Sequence, residues 1–106
     1  MRPEKAYRLI NNAFKPFYSM EANLKSDLVM LKSKQVRKAI DVMIEKSITY
    51  DKRSCIKFGD VYEEAPIYYE ESLDDPDAVL GYLFYISDRW NCIGRLKFLK
   101  AVVEKY

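Results

Sequence analysis

Histidine is missing altogether from these 106 residues, and cysteine occurs only twice, as Cys55 and Cys92. Without an imidazole the chain lacks the commonest general base and the commonest metal ligand. Two isolated sulfurs also fall short of the four Cys or His ligands that a structural zinc site needs. The expectation is no metal, no cofactor, and two reduced cysteines buried in the core, with a disulfide between them as the alternative. Three Gly and four Pro are too few for a disordered or linker-rich chain. Gly81 and Gly94 stand apart from any phosphate loop and are expected to be close-packing positions. No window approaches the roughly 18 uninterrupted apolar residues of a membrane span, and the start, MRPEKAYRLI, has no apolar run of signal-peptide type. These absences read as a cytoplasmic protein that is not an enzyme and does not enter a membrane.

What remains suits one domain over residues 1–106, because 49% apolar content builds a core and 32% charged residues keep its surface wet. The charges are segregated. Residues 1–59 carry thirteen bases and six acids, residues 60–88 nine acids and no base, and residues 89–106 five bases and one acid. A net charge of +2 thus hides a basic, an acidic and a second basic block. Segregation of this kind bears on association rather than on fold.

Apolar spacing predicts a mainly α, small four-helix domain that leaves room for one short β-hairpin at about residues 54–65. The first helix opens on Pro3 and Glu4 and buries Ala6, Ile10, Ala13, Phe14 and Phe17, with Tyr7 on the shoulder. Pro16 should end or kink it. A longer second helix, capped by Ser19 or Asn23, is expected over about residues 22–48, with a basic outer face. Asp41 and Glu45 are spaced to pair with Arg37 and Lys38 within that helix. Gly59-Asp60 suits a tight turn between Ser54–Phe58 and Val61–Ala65. Asp75-Pro76-Asp77 is the clearest helix start in the chain. From there a helix to about Trp90 has apolar residues over most of its circumference and should be the most buried element. A last amphipathic helix follows Asn91 and Gly94; one long bent helix is the alternative.

Carboxylate pairs such as Glu63-Glu64 or Glu70-Glu71 could serve a metal or acid–base chemistry. Adjacent residues of a strand face opposite ways, and acids ahead of a Pro-opened helix are ordinary capping, so no catalytic site is assigned. Tyr62, Tyr68, Tyr69, Glu70, Glu71, Asp74 and Asp75 combine rigid amphipathic rings with a negative field. That combination is expected where one protein covers a basic surface of another, as an inhibitor or adaptor does. Internal pairing with the chain's own bases is the competing reading. The alternative function is nucleic-acid binding through Lys32, Lys34, Arg37 and Lys38. Self-association is expected as well, since a small aromatic-rich chain hides a limited fraction of its surface. Trp90, Ile93, Phe98 and Val102, off the stripe that the core requires, form the candidate face of a homodimer.

Ile67-Tyr68-Tyr69, an acidic cluster and a Pro-opened helix ending near Arg89-Trp90 together resemble the second half of the colicin DNase immunity proteins, a family of small helical inhibitors. The Arg-Trp order departs from that family, and the basic N-terminal half has no counterpart in it. Neither its fold nor its sites are carried over.

Overall fold

The computed structural model describes residues 1–19, 21–57, 73–91 and 93–106, the side chains of residues 47–57 excepted. Among these residues the chain forms five α-helices and a 3₁₀ turn with no strand, a mainly α single domain. Its radius of gyration of 12.9 Å matches the ~13 Å expected of one domain of this length.

Helix α1 (Pro3–Phe14) begins where a proline costs nothing, since the first amides of a helix have no partner, and Glu4 meets the positive end of its dipole. It buries Ala6, Ile10, Ala13 and Phe14 as the spacing predicts. The α-helix ends just ahead of Pro16, as expected. Lys15–Tyr18 tighten into a 3₁₀ turn, in which the missing amide falls within the first two residues and Phe17 swings into the core.

The long second helix is two helices. Helix α2 (Leu24–Leu31) starts at Asn23, whose side chain accepts from the Ser26 amide at 3.2 Å while Asp27 accepts from the Asn23 amide at 2.6 Å. Helix α3 (Lys34–Lys57) starts after Ser33, whose Oγ accepts from the Val36 amide at 3.3 Å. Two caps thus divide a stretch whose apolar periodicity reads as continuous. Helix α3 then runs past residue 48 and takes in residues 54–57, so the first strand of the expected hairpin is helical at those positions. Helix propagation adds one hydrogen bond per residue fixed, and nothing between Thr49 and Lys57 is a Gly or Pro that would stop it. The rest of the hairpin lies outside the described residues, as do Cys92 and the side chain of Cys55.

Helix α4 (Pro76–Ile86) is capped by Asp75, which accepts from the Asp77 amide at 3.0 Å. It ends at Ile86, earlier than expected, where the Ser87 hydroxyl donates back to the Phe84 carbonyl at 2.8 Å. Helix α5 (Ile93–Lys105) is separate from it, not one bent continuation. The main packing seams join α1 to α3 and α3 to α5. Edge-on stacking of Phe98 against Tyr82, with centroids 4.5 Å apart, fastens α4 to α5. No helix among the described residues is long and apolar enough to cross a membrane.

The burial ranking of the last two helices is the reverse of the expectation. Helix α5 buries Ile93, Gly94, Arg95, Leu96, Phe98, Leu99, Val102 and Val103. Helix α4 buries Val79, Tyr82, Leu83 and Ile86 and leaves Phe84 exposed. The expected dimer face is therefore corrected: Trp90, Ile93, Phe98 and Val102 are 1%, 3%, 0% and 0% exposed. Trp90 lies 4.9 Å from Tyr7 and stacks on Phe14 at 6.4 Å, and its indole N–H donates to Asn11 Oδ1 at 2.7 Å. Helix α5 meets both α3 and α4, so side chains over most of its circumference face protein.

Candidate functional site

Of the seven acidic and tyrosine residues singled out in the sequence, Tyr62, Tyr68, Tyr69, Glu70 and Glu71 lie outside the described residues. The two that are described each make a structural contact. Asp75 is the α4 cap, and Asp74, on the turn before it, pairs with Lys105 at the far end of α5. Next to Asp74, the Leu73 carbonyl accepts from the Tyr106 hydroxyl at 2.7 Å. The middle of the acidic block, at Leu73 and Asp74, is therefore tied to the end of the last helix. The hydrogen bond from Lys105 to Asp74 holds the ammonium pKa above its ordinary value, although both groups remain in solvent.

The basic candidates separate in the same way. Lys32 is half-buried, and its ammonium donates to the Tyr106 backbone carbonyl, which removes it from a free basic face. Lys34, Arg37 and Lys38 are exposed on the opening turns of α3, and no acid occupies its first turn. The expected pairing of Asp41 within the helix is replaced by a bond across to Lys100 of α5 at 2.8 Å, which raises the Lys100 pKa. Arg37, Asp41, Lys100 and Glu104 line a polar cleft of about 130 Å³ between the two helices. A more apolar groove of about 340 Å³ lies between α2 and the start of α4, lined by Leu24, Leu28, Val29, Pro76 and Tyr106 together with Lys25 and Lys32.

A third surface went unread in the sequence. Along α4, Asp77, Gly81, Phe84 and Tyr85 are exposed at helical spacing, followed by exposed Asp88 and Arg89 in the turn beyond. Tyr85 is 49% and Phe84 38% exposed. The guanidinium groups of Arg89 and Arg95 lie 5.6 and 5.5 Å from the centre of the Tyr85 ring, within cation–π range. Arg89 also binds the Asp88 carboxylate at 3.2 Å, and this hydrogen bond lowers the Asp88 pKa. Arg95 is 6% exposed, donates to the Arg89 carbonyl at 2.7 Å and keeps Nε buried without a partner among the described residues. No signal in the sequence marks this face, because a helix that is apolar over most of its circumference is as readily buried all round as left open on one side.

Among the described residues no three His, Cys, Asp or Glu side chains converge as a metal site would require. No family model, curated protein or solved structure matches the chain.

Proposed function

We propose that the chain is a non-enzymatic protein-binding module, an inhibitor or adaptor that covers a basic surface on a partner protein with its acidic, tyrosine-rich block. The observation that carries this reading is the run of nine acids without a base between Asp60 and Asp88. Tyr62, Tyr68 and Tyr69 supply large contact area at low entropic cost, and the surrounding carboxylates steer a cationic partner into register. The ties from Leu73 and Asp74 to Tyr106 and Lys105 support it further, because a surface segment held by the fold loses less freedom on binding.

Asp74 holds Lys105, so reversing it would disturb the fold as well as the block. The test therefore uses Glu70→Lys with Glu71→Lys. Protein captured from the native host by the wild-type chain should be lost with this double variant. Its association rate with the wild type should fall steeply as salt rises. Equal capture by both chains, or a rate indifferent to salt, would remove the reading.

The nucleic-acid alternative keeps one favourable observation: Lys34, Arg37 and Lys38 make no ion pair among the described residues and cluster at a helix start, where the dipole adds positive potential. It predicts log affinity falling linearly with log salt, with a slope that shrinks in the triple Ala variant. The absence of a gel shift with duplex or single strands at low salt would end it.

A further inference from the structure

We propose that the groove between α2 and the start of α4 binds a small amphiphile, a monocarboxylate on a medium-length alkyl chain, with its head on Lys25 and its tail along Leu28 and Val29. The first observation is the groove itself. Its volume of about 340 Å³ falls at the lower end of the ~300–1,000 Å³ of small-ligand sites. Its walls are the apolar surfaces of Leu24, Leu28, Val29, Pro76 and Tyr106, and Val29 is 63% exposed. The second is the sign of its charges. The charged side chains that line it, Lys25 and Lys32, are both cations. Acids in the flanking turns are held elsewhere: Asp27 accepts from the Asn23 amide, Asp75 from the Asp77 amide, and Asp74 binds Lys105. Asp77 does not line the groove.

The third observation is that Lys25 carries the wrong charge for its place in the fold. It is the second residue of α2, is exposed, and makes no ion pair among the described residues. There it meets the positive end of the helix dipole, where an acid is favoured and a cation is not. Nothing described within the chain offsets that cost, whereas an incoming carboxylate would. The spacing then sets the pose, because Lys25, Leu28, Val29 and Lys32 recur at helical intervals along one side of α2, about 10 Å from first to last. Lys32 gives its ammonium to the Tyr106 carbonyl, so its stem serves as apolar wall. Lys25 is left to take the head. One free cation suits a single negative charge, and a stripe of this length suits a chain of medium length. The site stands apart from whatever the acidic block binds.

The probe is decanoate, titrated into the full chain below the concentration at which it self-associates and followed by amide NMR shifts. The dissociation constant should be about 1 mM or tighter, with shifts concentrated at Leu24, Leu28, Val29 and Tyr106. Decanol keeps the tail and lacks the charge. It should bind about fivefold or more weakly, and only decanoate should lose affinity as salt rises. Lys25→Glu should weaken decanoate about tenfold or more and leave decanol within about threefold, while Tm rises by about 2 °C or more because an acid replaces a base at a helix start. A lysine that serves only the fold would not give that combination. Val29→Glu, at an exposed position, should weaken both ligands. The proposal is overturned by the absence of saturable shifts at about 10 mM decanoate, by decanol binding as tightly as decanoate, or by shifts centred on Phe84 and Tyr85. Wild-type affinity for decanoate in Lys25→Glu overturns it equally. Should Lys25→Glu lower Tm instead, Val29→Glu and the decanol comparison decide.

Discussion

Helices α4 and α5 follow one another in the chain and are of similar length, yet their sequences and their burial run in opposite directions. Helix α4, PDAVLGYLFYI, has no base and one acid, and it leaves Phe84 and Tyr85 in solvent. Helix α5, IGRLKFLKAVVEK, carries five charged residues, and it buries eight of its thirteen positions, Arg95 included. The difference lies in what each helix touches. Helix α5 packs against both α3 and α4, so even its shoulders are covered, and its lysines escape only where a gap opens to water. Helix α4 covers α5 from one side. Burial is a property of position in the bundle, and the apolar content of a helix reports how much it could bury, not how much it does.

The largest expected effect lies on the α5 side of this contrast. Leu99 is fully buried, and Leu99→Ala should cost about 2–5 kcal/mol in urea unfolding. Next comes the joint between the two helices. Asn11→Ala leaves the indole N–H of buried Trp90 without its acceptor and should cost about 1–3 kcal/mol; recovery of stability when Trp90→Phe is added would confirm that the lost hydrogen bond is the cause. On the α4 side the sign reverses. Gly81→Ala should stabilise the chain by about 0.8–1 kcal/mol, because the new methyl enters open space and the helix loses a glycine. Smallest is Asp41→Asn. The Asp41–Lys100 pair is exposed, so the loss should stay below about 1 kcal/mol and shrink with salt. Its pH dependence has a fixed sign. The Lys100 pKa is raised in the folded state by its hydrogen bond to Asp41, so the contribution is complete below the ordinary value of 10.5 and is lost as pH rises through the higher folded value. Wild type and Asp41→Asn should thus converge in stability on the alkaline side.

Much of the fold is legible from local chemistry. The buried stripe of α1, the Asp75-Pro76 start of α4 and the separation of α4 from α5 all follow from caps, prolines and spacing. The break at Lys32-Ser33 was legible in principle: no Leu, Ile or Met falls between Leu31 and Ile40, and Ser33 stands in that gap as a cap. The Val residues on either side disguised it as a wide apolar face. Residues 54–57 alternate like a strand and are helical, because a helix already nucleated continues until something stops it. The order of burial was not legible, since it depends on which helix occupies the centre. That misplacement put the expected association face on Trp90, Ile93, Phe98 and Val102, which are buried, while Phe84 and Tyr85 are exposed. Segregation of charge was visible at once, whereas the tie of Lys32 and Leu73 to Tyr106 joins distant parts of the chain and leaves no local trace.

The contrast between the two helices is tested most directly by placing the same charge on one phenylalanine of each. Phe84→Asp and Phe98→Asp are compared by urea unfolding. Phe84→Asp should fold with a midpoint close to that of the wild type, because its ring is 38% exposed on the outward face, whereas Phe98→Asp should leave the chain unfolded or nearly so, because it buries an unpaired carboxylate against Tyr82. A folded Phe98→Asp, or a Phe84→Asp that unfolds, would contradict the burial of Phe98 in the core and the outward placement of Phe84.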